Sequence, residues 1–137
     1  MTISVTIEGR NAGLDGLGGH IDGGVVDSYI RFYDGALPTN VATALAGNNL
    51  IVESTMSATA FATAASGAMS ANAIPQVVIA ASGTITFFRI FNGSDVEVVQ
   101  GSAGDVGTED CVIDESTVVA GGNFSVTSLI ISQAKRA

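Results

Sequence analysis

Residues 84–100 read TITFFRIFNGSDVEVVQ and carry the clearest structural signal in the chain. Apolar and polar side chains alternate on both sides of Asn92-Gly93, which is typical of two antiparallel strands joined by a short loop. A two-residue turn would pair an aromatic residue with an acid. A three-residue loop instead pairs apolar residues with each other and a base with an acid. The favoured register sets Arg89 opposite Glu97, Ile90 opposite Val96 and Phe88 opposite Val98.

The same alternation recurs outward from this hairpin in short runs separated by turn residues. Predicted strands cover residues 3–7, 28–33, 50–56, 74–80, 84–91, 96–100, 111–113, 117–119 and 124–132. Residues 57–73 are rich in alanine but lack charged helical pairs, and we predict a short strand or irregular structure around Phe61. Eight or nine strands without a convincing helix indicate an all-β fold, a single-domain antiparallel β-sandwich of jelly-roll type over residues 1–137.

Residues 13–24 contain six glycines, and this density predicts a long loop because glycine loses much backbone entropy in regular structure. The stretch carries Asp15, His20 and Asp22, with Asp27 nearby. Their oxygens are suitable ligands for Ca²⁺, but the twelve-residue EF-hand pattern is absent. A zinc site at His20 and Asp22 lacks further ligands. We predict no metal or cofactor, and leave open whether this loop binds an ion or docks against a neighbour.

The composition limits the classes of function. Charged residues make up 13% of the chain, about half the roughly 25% of an ordinary soluble domain. Thirteen acids against five bases give a net charge of −8 and a pI near 4.2. Mean hydropathy of +0.45 argues against disorder. Nucleic-acid binding is not expected, because it needs a basic surface.

The missing charges are concentrated in one place. Residues 54–88, here called the charge-free segment, contain no Asp, Glu, Lys or Arg. Serine and threonine interrupt this segment throughout, so it does not read as a membrane span. The first eight residues lack the features of a signal peptide. We therefore expect a soluble protein with a neutral middle surface.

Catalytic chemistry has few candidates. The chain has one cysteine, Cys111, and one histidine, His20, which lies far away in the sequence. Cys111 is interpreted as a small buried apolar residue. The acidic pairs Asp95/Glu97, Glu109/Asp110 and Asp114/Glu115 are interpreted as solvated turn charges rather than as a glycosidase pair. We predict no catalytic residues and no enzymatic activity.

Four motifs resemble small structural proteins encoded by tailed bacteriophages. They are IRFYDGALPTN (residues 30–40), FFRIFNG (87–93), VVQGSAGDVG (98–107) and VVAGGNFSVTSLIIS (118–132). The resemblance covers residues 28–133 and leaves out the glycine-rich stretch. It implies a β-sandwich virion component with no catalytic residues to carry over.

Two hypotheses follow from the resemblance and the charge distribution. The first is a capsid decoration or cement protein in the virion, assembled in the bacterial cytoplasm. It would bind the major capsid protein and copies of itself, as a homotrimer, through the charge-free segment, because interface cores are depleted of charge. The second is a tail, neck, baseplate or fibre component that binds a host glycan. The absence of tryptophan, with only Tyr29 and Tyr33 as tyrosines, argues against it.

Overall fold

The computed structural model describes residues 3–133, and within them one helix precedes eleven short strands. Helix α1 spans Ile7–Asp22. The strands are β1 (Tyr29–Tyr33), β2 (Leu50–Thr55), β3 (Ala68–Ser70), β4 (Val77–Val78), β5 (Gly83–Thr84), β6 (Phe87–Phe91), β7 (Glu97–Gly104), β8 (Cys111–Ile113), β9 (Thr117–Val118), β10 (Asn123–Phe124) and β11 (Val126–Ser132). Strands account for 37% of the chain, so the prediction of a strand-dominated fold is confirmed.

Seven strands form one sheet in the order β2-β1-β6-β7-β8-β11-β3, and two small pairs, β10-β4 and β5-β9, lie outside it. Neighbouring strands are antiparallel except β7 and β8, which pair in parallel from Ala103 opposite Cys111. The predicted fully antiparallel arrangement is wrong at this position. The chain returns beside the end of β7 because the Asp110 carboxylate accepts hydrogen bonds from the amide (3.0 Å) and hydroxyl (3.2 Å) of Ser102.

Strands β1 and β6 form the centre of the sheet. Ile30 and Phe32 of β1 are fully buried, and the Phe32 ring lies 4.8 Å from the ring of Phe124 in β10. All five residues of β6 are buried, because one face meets the core and residues 34–49 cover the other. One hydrophobic cluster includes residues of β2 and β3, the two edges of the sheet.

The hairpin between β6 and β7 confirms the predicted three-residue loop but not the predicted register. Asn92 N donates to Val96 O (2.9 Å), which leaves Gly93, Ser94 and Asp95 in the loop. Asp95 takes the positive φ (63°) that usually closes such a loop. The strands pair Phe91 with Glu97, Ile90 with Val99 and Arg89 with Gln100, with a bulge after Ile90. The loop therefore begins later than side-chain pairing indicated.

Helix α1 contradicts two predictions, a strand over residues 3–7 and a glycine-rich loop over residues 13–24. The first prediction is wrong because the Thr6 hydroxyl caps the helix by accepting a hydrogen bond from Gly9 N (3.1 Å). A threonine at this position satisfies an amide that the helix itself leaves free. The second prediction is wrong because the helix continues through ten of those twelve residues and ends at Asp22.

The helix forms despite its glycines because it is docked against the rest of the chain. Each glycine costs about 1 kcal/mol relative to alanine in a helix interior. Leu14, Gly18 and Ile21 are nevertheless buried along one face, since residues four and seven apart share a side of a helix. Tertiary burial therefore outweighs the local propensity that predicted a loop.

Several predicted strands are shortened or divided. The strand over residues 74–80 reduces to β4, because Ala80 N donates to Ile51 O (3.1 Å) instead of to β10. The strand over 124–132 is divided at Ser125, whose carbonyl accepts a hydrogen bond from Asp114 N (3.1 Å). The strand over 84–91 is divided between β5 and β6. Irregular backbone contacts thus replace parts of a continuous ladder.

The prediction for residues 57–73 agrees with the structure, where β3 and an isolated bridge from Phe61 to Ala71 interrupt irregular chain. Gly101, Gly104 and Gly107 together indicate a loop from the sequence, but this interpretation is wrong for the first two, because Gly101 and Gly104 lie within β7. They fit there because a side chain at either position would collide with Asp110 or Glu109.

Two glycines bring the segment after α1 against the hairpin loop. A Cβ atom on Gly24 would overlap backbone atoms of Gly93, and a Cβ on Gly93 would overlap the carbonyl of Val26. Both positions therefore require glycine for close approach. The contact fixes the chain immediately beyond the end of α1.

Candidate functional site

The charge-free segment contributes an exposed surface of small neutral side chains. Its exposed residues are Thr55, Ala58, Thr59, Ala62, Thr63, Ala65, Ser66, Ser70, Ala73, Pro75, Gln76, Val78, Ala80, Ser82, Thr84 and Thr86. Among residues 3–133, no helix combines the length and hydrophobicity needed to cross a bilayer. The segment runs from the neighbourhood of α1 to the small sheets β10-β4 and β5-β9.

Positive charge is scarce on the surface that the structure describes. Arg10 and Arg89 are buried. Arg31 pairs with Glu53 at 2.5 Å. Lys135 and Arg136 lie outside the described residues. Within residues 3–133, Arg31 is thus the single arginine or lysine side chain that is partly exposed. Carboxylates carry most of the remaining surface charge of these residues.

The residues considered for a metal site belong to helix α1 and do not converge. The Asp15 carboxylate accepts a hydrogen bond from Ala64 N (2.7 Å), and the Asp22 carboxylate accepts one from Ala60 N (2.9 Å). His20 is exposed and lies two residues before Asp22, about 200° away around the helix axis. Over residues 3–133, no group of three or more His, Cys, Asp or Glu side chains is placed to hold a metal ion.

Asn11 joins the two aspartates on the same face of α1, and sequence reasoning missed its role. Its side-chain oxygen accepts a hydrogen bond from Gly67 N (2.9 Å). Residues 57–67, here called the edge segment, are thus bound to α1 through three backbone amides. Asn11, Asp15 and Asp22 are four and seven residues apart, a spacing that places them together only in a helix. Because the sequence predicted a loop over residues 13–24, this helical spacing was not recognised.

A cleft of about 290 Å³ lies between α1 and the edge segment, beside the hydrogen bonds that join them. Asp15, Gly18, Gly19 and Asp22 form the helical wall, and Phe61 lies in the opposite wall. The glycines leave the helix surface without side chains there. The cleft is thus bounded by carboxylates on one side and by neutral chain on the other.

A second irregular segment, residues 34–49, lies over the outer face of β6 and is here called the covering loop. Arg89 holds it in place by donating from Nη2 to Thr43 O (2.6 Å) and from Nε to Gln100 Oε1 (3.1 Å). Gln100 in turn donates to Pro38 O (2.8 Å). Arg89 is 2% exposed, and its predicted partner Glu97 lies opposite Phe91 instead.

The ends of the covering loop are joined by Asp34. Its carboxylate accepts hydrogen bonds from Asn49 N (2.6 Å) and Asn49 Nδ2 (3.0 Å). These bonds, from the Asn49 side chain and then its backbone, lower the pKa of Asp34 below its usual value. The charged form of Asp34 is therefore the form that closes the loop.

The aromatic rings that a glycan site would use are occupied within the protein. Tyr33 is buried and stacks on Phe87 at 5.2 Å. Tyr29 stacks on Phe91 at 5.1 Å, and the Arg31 guanidinium lies over both of these rings. Burial, and then a hydrogen bond to Asp95, raise the pKa of Tyr29 to about 12. Tyr33 is therefore closed to a sugar, and Tyr29 is half-buried with its ring packed against Phe91 and Arg31.

Cys111 is buried, and two of the acidic candidates, Glu109 and Asp114, are hydrogen-bonded within the protein. Cys111 is fully buried, and burial raises the pKa of its thiol to about 12, so the thiol is protonated at neutral pH. Glu109 accepts a hydrogen bond from Gly107 N (2.9 Å), and Asp114 accepts one from Ser125 N (3.3 Å). These two carboxylates accept backbone hydrogen bonds from residues in or beside turns.

No protein-family model, curated protein or solved structure matches the chain. The function must therefore be inferred from the neutral surface, the edge segment and the covering loop.

Proposed function

We propose that this protein is a non-enzymatic structural component of a tailed-bacteriophage virion, a capsid decoration or cement protein. In this proposal it binds the major capsid protein and copies of itself as a homotrimer, with no nucleic-acid or membrane partner. The observation that carries the proposal is the exposed surface of the charge-free segment, which has no charged side chain over residues 54–88. Interface cores are depleted of charge in the same way.

The charge distribution also selects where copies would meet. Each copy carries −8, and the described residues offer one partly exposed arginine, Arg31, which is already paired with Glu53. Two copies therefore repel each other wherever carboxylates face carboxylates, and this repulsion extends over about 8–10 Å at physiological salt. The charge-free segment adds no carboxylate of its own to this repulsion, and Asp15 and Asp22 bind only its residues 60 and 64.

The finer architecture belongs to the same proposal. We infer a jelly-roll-like β-sandwich, because one hydrophobic cluster includes Ile51 and Met69 from the two edge strands of the large sheet. It also includes Val118 and Phe124 from the small sheets. A core shared in this way is expected when β-layers pack face to face.

The engaged state of the polar groups supports a structural role over an enzymatic one. A thiol nucleophile needs a lowered pKa and a base nearby, whereas the pKa of the Cys111 thiol is raised to about 12. The burial of Tyr33 and the packing of Tyr29 against Phe91 likewise give the glycan-binding alternative little support. The location on head, neck or tail is decided by copy number. Hundreds of copies per virion indicate the shell, whereas three to twelve indicate the neck, baseplate or fibre.

The test uses two exposed valines as a matched pair. Val78 lies in the charge-free segment and is 63% exposed, whereas Val106 lies among acidic residues and is 77% exposed. Val78→Glu is expected to weaken self-association at least tenfold, because an interface would bury its charge unpaired. Val106→Glu is expected to leave self-association unchanged.

Sedimentation equilibrium of the wild-type chain at micromolar concentration measures the oligomeric state directly. A mass three times that of the chain is expected. A monodisperse monomer contradicts self-association, and equal effects of the two glutamates contradict the choice of surface. Binding to capsids that lack the protein is measured with the same pair of variants, and binding by neither the variants nor the wild type contradicts the decoration role.

A further inference from the structure

Helix α1 has little helical stability of its own. Five of its 16 residues are glycine, and each lowers the helix–coil equilibrium about fivefold relative to alanine. At Gly16 and Gly19 an added Cβ would meet nothing within 4 Å, so packing does not require glycine there. The buried apolar side chains of the helix are Leu14 and Ile21. The helix therefore depends on its docking surface.

The docking surface is a hydrogen-bonding edge. On its inner side, the edge segment pairs towards β3 through Ala62 N and Ser70 O (2.9 Å). On its outer side, the amides of Ala60, Ala64 and Gly67 point at side-chain oxygens of α1. An uncovered edge of this kind invites pairing with another chain. Helix α1 covers this edge through three hydrogen bonds from backbone amides to its side-chain oxygens.

The hinge for any movement of α1 is Gly23, which ends the helix. The chain from Gly24 to Val26 is held against Gly93 by its backbone. The side chains of Val25 and Val26 nevertheless point away from this contact and are 86% and 65% exposed. These side chains are uncovered in a single copy, although valine favours burial.

The opposite end of the helix is uncovered as well. Ile3, Val5 and Ile7 are exposed at its start. In addition, Arg10 Nε is buried with no hydrogen-bond partner among residues 3–133. Exposed apolar side chains thus lie at both ends of α1.

We propose that α1 is exchanged between copies, so that the helix of one copy covers the edge segment of the next. The contacts of Asn11, Asp15 and Asp22 would be the same as in the single copy, made between chains. Exchange of an identical element is a low-cost route to self-association, and head-to-tail exchange forms a ring of three where the rotation between copies closes. It brings Val25 and Val26 of neighbouring copies together, which covers them. This inference rests on the self-association proposed above.

The test uses an engineered disulfide to link the helix covalently to the chain whose edge segment it covers. Asp15→Cys and Ala64→Cys are introduced together, because the Asp15 side chain touches the Ala64 backbone at 2.7 Å. Cys111 does not compete, since it is fully buried. After mild oxidation of the oligomer, exchange yields covalent dimers and trimers on a non-reducing denaturing gel. A gel with monomers alone, from a sample that was oligomeric before denaturation, overturns the exchange and leaves the self-association standing.

A second variant leaves every docking contact intact. Four residues, Gly-Ser-Gly-Ser, are inserted between Gly23 and Gly24, ahead of the contact of Gly24 with Gly93, which lets α1 fold back on its own chain more easily. The dissociation constant of the oligomer is expected to rise at least tenfold. An unchanged dissociation constant overturns the exchange, even where the cysteine variant fails to fold. A wild-type chain that stays monomeric overturns both this inference and the proposed self-association.

Discussion

The covering loop and the edge segment are both irregular, and both are held by side chains that project from regular structure. The chemistry of the two attachments is opposite. Arg89, in the centre of the sheet, donates hydrogen bonds to the carbonyl of the covering loop at Thr43. Asp15 and Asp22, on the helix, accept hydrogen bonds from amides of the edge segment.

The positions of these anchors differ as much as their chemistry. Arg89 is 2% exposed, so its charge is stabilised only while the loop is in place. Asp15 is exposed and stays hydrated when its bond to Ala64 breaks. Leaving a buried charge without its hydrogen-bond partner lowers the free energy of unfolding far more than breaking a hydrogen bond to a charge that water can solvate. The covering loop is therefore the fixed region, and α1 with its edge segment is the detachable one.

The largest effect is expected from Arg89→Met. Removing the guanidinium leaves the Thr43 carbonyl and Gln100 unsatisfied beneath the loop, which is expected to lower the free energy of unfolding by about 3 kcal/mol. Arg31→Met is the control, because the Arg31–Glu53 pair is partly exposed and contributes at most about 1 kcal/mol. Urea denaturation measures both variants. Similar losses for the two arginines would contradict the role of Arg89 as the buried anchor of the covering loop.

The next effect concerns the detachable region. Asp15→Ala removes the acceptor for Ala64 N and is expected to cost about 1.5 kcal/mol, the lower end for a hydrogen bond to a charged group. Asp15→Asn keeps an oxygen in the same place and is expected to cost less than half as much. Amide hydrogen exchange at Ala64 should accelerate in the alanine variant. Protection that is unchanged there counts against the role of Asp15 as an anchor.

Gly16→Ala and Gly19→Ala are expected to stabilise the detachable region instead of weakening it. Each is expected to raise the free energy of unfolding by about 0.5–1 kcal/mol, because both positions are helical and have open space. Gly67→Ala is the contrasting variant, since Gly67 has φ +77° and packs against Arg10, and it is expected to destabilise. Thermal unfolding of the three variants separates these signs. Destabilisation by both helical alanines would show that the glycines are needed there.

The smallest effect is a pH dependence of the covering loop. The folded-state pKa of Asp34 is lowered by its bonds to Asn49, so its contribution is fully present above the unfolded value of about 3.9 and is lost as pH falls through the folded value. Exchange of the Asn49 amide is expected to accelerate in that acidic range. Asp34→Asn should remove this dependence, and a pH profile identical to that of wild type would exclude Asp34 as its source.

The sequence predicted the parts of the fold that depend on neighbouring residues in the chain. Strands β1, β2 and β8 lie within one residue of their predicted bounds, because their alternation and flanking turns are local signals. The three-residue hairpin loop was also predicted correctly. Its register was not, since the bulge after Ile90 and the positive φ of Asp95 depend on the Asn92 side chain bonding within the loop.

Helix α1 could not be predicted from its own residues, and neither could the anchoring roles of Asn11, Asp15 and Asp22. Their acceptor oxygens meet amides about forty to sixty positions further along the chain. Arg89 is similar, because the loop that covers it comes from residues 34–49. In both cases the partner is distant in sequence, so no local pattern reveals it.

By itself, the sequence determined a strand-dominated chain with a neutral middle and an acidic remainder, since alternation and charge are properties of residue order. Only the tertiary structure decided that a glycine-rich stretch becomes a helix, that two aspartates bind backbone amides, and that an arginine is buried under a loop. Long-range burial and hydrogen bonding outweigh about 1 kcal/mol per glycine of local preference. For this reason the most weakly specified segment, α1, is the one whose position depends most on what it packs against.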